Sequence, residues 1–424
     1  RYLNQDSFDL ASGASAKDPW HHLQGGFRVD WTPSDADLVT LEGDIFGGRN
    51  GESGAPSEKF SGNNVTARWN RDLGNGGQLQ AQAFYDRIVR DSRATSGGKF
   101  STDTFDGEIQ HNITLGSHSI VWGVGARDVD YHIEGTSSLF FVPPHRNLFI
   151  ANVFAHDSIA LTDKLTLVGG LKAEHLPYAG TSLLPEVRLS WKPAPTALLW
   201  ASVERAVRSP TPFDEDVQER FAGIVSLSGN PQFRTEQLTT FEVGTRLQPS
   251  RTFSLSVTGF YDRYADLRTV EVVPGPLALD LSWGNNLAGE IHGIEAWADW
   301  RVTSWWTLSA GGTWLEQHLH FKPGASGIVG TDQNGNDPPY AVTLRSVISP
   351  LTAVTLELDG RAVGALRGSA VGAYQELDGR LAWQVSPAIA LSISGTNLLH
   401  DRHLEYPGSN YIPRRIMGGV ELRY

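Results

Sequence analysis

Cysteine is absent from the 424 residues, so neither a disulfide framework nor a thiolate metal site is possible, and the absence suits export through an oxidising compartment. Methionine occurs once, at Met417, which leaves a soft copper site without thiolate or thioether ligands. Positive charge is short: 35 Lys and Arg against 47 Asp and Glu give a formal charge of −12, the wrong sign for a surface that neutralises phosphates. No nucleic-acid partner is expected. No apolar run approaches the ~20 residues of a membrane-spanning helix; stretches such as Ala197 to Ala201 are far shorter. Helical periodicity is nearly missing as well. The opening Arg1-Tyr2-Leu3-Asn4 has no basic region, apolar region or cleavage site of a signal peptide, so the chain is expected to begin inside a longer gene product.

What is present is sheet chemistry. Apolar residues make up 40% and charged residues 19%, which excludes a disordered chain. The 45 glycines and 13 tryptophans suit turns and an aromatic-rich sheet better than helices. Period-two alternation recurs from His21 to the last residue. In 354–362, Val354, Leu356, Leu358, Gly360 and Ala362 share one side, opposite Thr355, Glu357, Asp359 and Arg361. Segment 375–385 sets Leu377, Leu381, Trp383 and Val385 against Glu376, Asp378, Arg380 and Gln384, and 253–262 behaves alike.

A soluble sandwich also alternates, so the connections must discriminate. Tight turns are read near 33–37, 73–77, 115–119, 161–164, 192–196, 247–252, 302–305, 349–353 and 385–388, and long polar, Gly-rich connections near 47–63, 91–104, 132–147, 208–237, 317–339 and 400–411. In an antiparallel meander every other connection lies at the same end. The alternation therefore predicts an all-β, large antiparallel transmembrane barrel with short periplasmic turns and long extracellular loops, in which a sheet of about nineteen strands after Trp20 closes on itself. Acids and Arg line the inner face, because a basic residue turned to lipid at mid-depth costs ~2–4 kcal/mol. Arg outnumbers Lys by about four to one, which suits fixed pairing with carboxylates. Trp31, Trp69, Trp191, Trp305 and Trp306 near tight turns read as an interfacial girdle. At the end, Ile416, Gly418, Val420, Leu422 and Tyr424 form one strand face with a terminal aromatic, the kind of ending that barrel-assembly machinery recognises.

Several segments resemble TonB-dependent outer-membrane receptors. They are Gly25-Gly26-Phe27-Arg28-Val29-Asp30-Trp31 with Leu41-Glu42-Gly43-Asp44-Ile45, and Glu204-Arg205-Ala206-Val207-Arg208-Ser209-Pro210-Thr211-Pro212-Phe213. Gly229-Asn230-Pro231-Gln232-Phe233 with Glu236, then Asn285, Asn286 and Gly293-Ile294-Glu295, and finally Gly395-Thr396-Asn397-Leu398-Leu399 complete the set. The resemblance implies a 22-stranded barrel with a plug inside. On that reading residues 1–424 are the barrel, with the end of the third strand at 1–3 and the rest at about 21–424. The plug, the TonB-coupling box and the first two strands are expected to be missing. The resemblance also implies location in a Gram-negative outer membrane, as a multi-pass protein beside lipid and lipopolysaccharide. Its partners would be the barrel-assembly machinery, the TonB complex through the missing N-terminal region and a small metal-chelate ligand. Family motif positions are Arg208, Pro210, Asn230, Pro231 and Glu236.

The 208–237 segment crowds Arg208, Asp214, Glu215, Asp216, Glu219, Arg220, Arg234 and Glu236 together. Paired acids there could serve a glycosidase, but a solvated loop ordered by ion pairs is the preferred reading. His318 and His320 share a strand face and His400 precedes His403 by three, yet neither pair has a third ligand in sequence, so no metal and no cofactor are assigned. Haem receptors of the family usually carry a histidine between the two mid-chain motifs; from Arg208 to Pro231 there is none. Tyr131, Phe140, Phe141, His145, Arg146, Tyr178 and Arg208 combine stacking surface with cationic donors suited to a catecholate or carboxylate siderophore. The expected function is TonB-coupled import of a ferric siderophore or similar chelate, without enzymatic chemistry. A plugless porin or translocation barrel, and an all-β hydrolase using acids 214–219, are the alternatives.

Overall fold

The computed structural model describes residues 1–7, 13–52, 55–93, 97–274, 280–328, 336–407 and 411–422. Alternating side chains fit a pleated sheet with two unlike faces, and the sequence forms β1 (Tyr2–Gln5), β2 (Trp20–Ser34), β3 (Asp37–Glu52), β4 (Ala55–Gly74), β5 (Gly77–Asp91), β6 (Lys99–Leu115), β7 (His118–Glu134), β8 (Leu139–Phe141), β9 (His145–Thr162), β10 (Leu165–Leu176), β11 (Gly180–Ala194), β12 (Ala197–Arg208), α1 (Pro212–Glu215), β13 (Val217–Phe221), β14 (Ile224–Ser228), β15 (Glu236–Ser250), β16 (Phe253–Val273), β17 (Asp280–Thr303), β18 (Trp306–Phe321), β19 (Tyr340–Leu351), β20 (Val354–Val363), β21 (Tyr374–Ser386), β22 (Ile389–Thr396), β23 (Arg402–His403), β24 (Ile412–Pro413) and β25 (Arg415–Leu422). All but β8, β13, β14, β23 and β24 follow one another as an antiparallel meander. Nineteen of these wall strands start at or after Trp20, the number read from the sequence.

The nine tight turns lie where the sequence places them, at 35–36, 75–76, 116–117, 163–164, 195–196, 251–252, 304–305, 352–353 and 387–388. The other end departs from expectation. Segment 47–63 is mostly strand, because β3 and β4 stay in register from Ile45↔Asn63 to Asn50↔Glu58. Glycine there serves packing. A Cβ on Gly62 would meet the Phe46 ring at 2.5 Å, and one on Gly48 the Phe60 ring at 2.6 Å, so each glycine makes room for a cross-strand aromatic. Residues 177–179 and 364–373 are further connections at this end, which the sequence reading did not separate.

The two faces differ as expected. Leu381, Trp383 and Val385 are exposed on the outside of β21, whereas Glu376 on its inner side is only 1% exposed. Ile416, Val420 and Leu422 likewise stand exposed on β25; Tyr424 lies outside the described residues. Inside runs a ladder of ions: Arg28 to Asp30 and Glu42, Arg127 to Asp106, and Arg361 to Asp378 and Glu405. Contrary to expectation, Arg87 and Asp103 pair on the outer face, in step with Tyr85 and Phe105. Trp31, Trp191 and Trp305 are exposed beside the tight turns. The Trp69 indole donates to Asp37 Oδ1 at 2.9 Å and the Trp306 indole to Ser346 Oγ at 3.0 Å. Farther up the wall, Trp314 faces its cross-strand partner Tyr340, both exposed, and supplies an upper aromatic level.

The expected closed cylinder is not completed by pairing among the described residues. There, β1 pairs with β2 alone and β25 with β22 alone, which leaves two free edges. The longest strands exceed what a bilayer needs. At ~3.3 Å per residue the 24 residues of β17 run ~80 Å, or ~60 Å of height at a ~40° tilt, against an apolar band of ~25 Å. The densest apolar cluster of the described residues lies at the long-loop end, where Val217, Phe233, Val270 and Trp283 pack with Phe141, Leu227 and Leu281.

Candidate functional site at the long-loop end

Three members of that cluster, Val217, Leu227 and Phe233, belong to residues 209–235, a strap that leaves the wall after Arg208 and returns at Glu236. Thr211 caps α1: its N–H donates to Asp214 Oδ2 at 2.9 Å while its hydroxyl accepts from the Asp214 N–H, a reciprocal capping box. Beyond α1, β13 pairs with β8 through Val217↔Phe141, and β14 runs parallel to β17 through Leu227↔Leu281. The strap thus ties β8, in the connection between β7 and β9, to β17, across the tops of the strands between.

Its return explains the motif residues. A Cβ on Gly229 would lie 2.3 Å from the Glu215 carbonyl oxygen, so only glycine fits. Asn230 Nδ2 donates to the Trp283 carbonyl at 2.8 Å. Asn285 donates to the Asp266 carbonyl at 2.7 Å and accepts the Arg234 N–H at 2.8 Å. Glu236 receives Arg208 Nε at 2.6 Å and the Arg268 N–H at 2.8 Å. Pro210 is buried and Pro231 exposed at the turns that enter and leave.

The acids are not solvated, contrary to the sequence expectation: Asp214, Glu215 and Asp216 are buried. A buried carboxylate needs partners, and two have them. Asp214 accepts from Arg208 Nη1 at 2.9 Å and Arg268 Nη1 at 3.1 Å. Burial opposes its ionisation, but the bonds from Arg208 and Thr211 outweigh that and hold its pKa below the usual carboxylate range. Asp216 accepts two bonds from Arg146, both 2.7 Å, and one each from the hydroxyls of Tyr131 at 3.2 Å and Tyr178 at 3.0 Å. Burial, then Tyr131 and Asp216, push the Tyr178 phenol up. Glu215 is different. Its Oε1 is buried with no hydrogen-bond partner among the described residues, and burial, followed by the charge of Asp216, pushes its pKa up to about 7. For the hydrolase reading, Asp214 and Asp216 are already saturated by cations and phenols.

The residues proposed from sequence as ligand contacts are therefore gathered at one end, with several polar groups engaged internally. Tyr131, Arg146 and Tyr178 converge on Asp216, and Arg208 on Asp214 and Glu236. Phe141 packs against Phe213, 6.4 Å between centroids. Phe140 lies under the Arg220 guanidinium at 4.4 Å, and His145 Nε2 lies 2.6 Å from Asp130. The sequence reading did not single out the tip of the β13–β14 hairpin. There Phe221 is 79% exposed, beside exposed Ile224, and Ala222 and Gly223 take the positive φ angles of a two-residue turn. Val225 to Ser228 alternates after Ala222-Gly223, and that was the available signal.

The sequence profile described as TonB dependent receptor-like, beta-barrel matches residues 2–398. No curated protein matches the chain. Among solved structures, a mutant of the ferric enterobactin receptor PfeA from Pseudomonas aeruginosa superposes with a TM-score of 0.78 at 14% identity, covering 98% of this chain and 72% of that one. The siderophore receptor PirA from Acinetobacter baumannii gives 0.76 at 15% identity, covering 99% and 74%. The copper transporter OprC gives 0.76 at 14%, covering 99% and 77%. At such identities the structures speak for the fold. With the profile spanning nearly the whole meander, the chain belongs to the family of TonB-dependent receptor β-barrels.

Proposed function

We propose that this chain is the wall and capturing mouth of an importer in a Gram-negative outer membrane, which takes up a ferric siderophore or similar anionic metal chelate by TonB-coupled energy. The family is one of outer-membrane receptors, and an apolar outside around a charged inside suits lipid on one side and water on the other. The observation that carries the substrate class is the hairpin tip, where exposed Phe221 and the Arg220–Phe140 stack present rings and a cation to an aromatic, anionic ligand. Neighbours of this fold include receptors for ferric enterobactin and other siderophores. Capture and passage break no covalent bond, so the protein works as a carrier rather than an enzyme.

On this reading the short turns are periplasmic and the strap extracellular. Residues 1–424 form the barrel portion; a plug, a coupling box for TonB and two strands pairing with the free edges of β1 and β25 lie upstream. Val420, Leu422 and Tyr424 address the chain to the assembly machinery. Two measurements test the proposal. Cells lacking the gene, grown under iron limitation with single ferric chelates added back, should fail on at least one, and normal growth on every chelate would refute the substrate class. The upstream gene sequence should encode the plug and coupling box; their absence would favour a plugless porin instead.

A further inference from the structure

The outward face of β17 and β18 climbs from the tight turn as Trp300/Leu308, Ala298/Ala310, Ala296/Gly312 and Ile294/Trp314. This is the apolar side. The next outward pair is His292/Glu316, and above it stands Glu290/His318. The apolar run stops there, twelve residues beyond the 304–305 turn, and ~3.3 Å per residue at a ~40° tilt puts that level ~30 Å up, just past a ~25 Å apolar band. Trp314 and Tyr340 mark the boundary. The ionisable groups therefore face outward at the height of the lipid headgroups, away from the strap.

Three of them converge. Glu316 holds one carboxylate oxygen 3.2 Å from His318 Nε2 and the other 3.7 Å from His292 Nε2. The two imidazoles stack at 5.8 Å, and one ligand atom from each residue lies within 4.8 Å of the others. Bonds of ~2.0–2.1 Å in a tetrahedral zinc site set ligand atoms ~3.3 Å apart, so small side-chain rotations close this set around one ion. Two imidazole nitrogens and a carboxylate suit a borderline cation such as Zn²⁺. Spacing within β18 could not reveal the set, because its third member comes from β17 by register. Nearby Glu290 is engaged by the Tyr261 hydroxyl, and His320 lies farther along the same face, exposed.

We propose that His292, Glu316 and His318 bind a single Zn²⁺-class cation on the outer wall, with a fourth coordination position open to water. The bound ion clamps β17 to β18 above the aromatic level. It is separate from any chelate carried through the lumen.

The test is calorimetric titration of the full-length receptor in detergent with Zn²⁺ alone, supported by visible absorption of the Co²⁺-loaded protein. The wild type should bind with a saturable site that Glu316→Gln or His292→Ala weakens on the order of a hundredfold, at least the loss that a missing supporting group causes at a metal centre. His318→Ala alters only an exposed side chain, so it tests the site should either of those variants fail to fold. His320→Ala should leave the affinity unchanged, and heat-dependent gel migration reports whether each variant is folded. Absence of saturable Zn²⁺ binding in the wild type, or equal affinity and Co²⁺ spectrum in a folded triad variant, overturns the proposal.

Discussion

Replacing Asp216 by alanine should loosen the strap without unfolding the wall. The substitution removes an acceptor of four bonds, two from Arg146 and one from each of two phenols, at a residue only 4% exposed. Bonds to a charged group contribute ~1.5–3 kcal/mol each when buried. The Arg146 side chain is 40% exposed, so water replaces part of its loss and its share is discounted. About 3 kcal/mol of local stability is the remaining expectation, or about a hundredfold in the opening equilibrium. Hydrogen exchange reads this directly. The amides of Val142, Arg220 and Gly229, which donate to the carbonyls of Asp216, Ser138 and Val217, should exchange about a hundred times faster, while those of β4 and β5 keep their protection. Asp216→Asn retains an acceptor of the same shape and should fall between. Equal exchange in wild type and Asp216→Ala would refute the view that this carboxylate anchors the strap, and uniform acceleration across the wall would show the strap is not an independent unit.

Glu215 should make the strap sensitive to pH. Its pKa is about 7 folded against 4.5 as the ordinary value, so the folded form holds the proton longer. Stability is greatest below pH 4.5, falls as pH rises to 7 and levels off above, by at most ~3 kcal/mol from this group; strap proteolysis should quicken over that window in wild type and not in Glu215→Gln. Gly229→Ala forces a Cβ to 2.3 Å from the Glu215 carbonyl oxygen, and should cost ~1–3 kcal/mol of strap order, visible as exchange at Asn230 with an intact wall. Val243 is 64% exposed on the outer face of β15; Val243→Arg should lower barrel stability by ~2–4 kcal/mol, measured by urea unfolding in lipid vesicles. Arg220→Ala and Phe221→Ala should weaken ferric-chelate binding by about tenfold, roughly one cation–π contact and its desolvation, with exchange in the strap unchanged.

The wall was legible because its two faces touch unlike surroundings: Leu381, Trp383 and Val385 against Glu376 and Asp378 state the orientation of β21 outright. Turns at the short end were equally plain. Glycine misled at 47–63, where Gly48 and Gly62 look like loop residues but sit beneath aromatic rings, a relation that exists only across strands. The strap was visible as a dense run of charge and as family motifs, yet the burial of Asp214 and Asp216 depends on Arg146, Tyr131, Tyr178 and Arg268, contributed from up to 85 residues away. The His292–Glu316–His318 set was hidden for the same reason: register, not spacing, assembles it.

The excess length of β16 and β17 has a mechanical consequence. On the proposed function these two strands, 21 and 24 residues long, form a hydrogen-bonded ribbon that rises ~30 Å beyond the lipid and carries the strap toward the sugar chains that crowd a bacterial surface. A solute would then be met at the parapet, before it has to diffuse down through that thicket, by a rim stiff enough to keep its geometry while the surroundings sway.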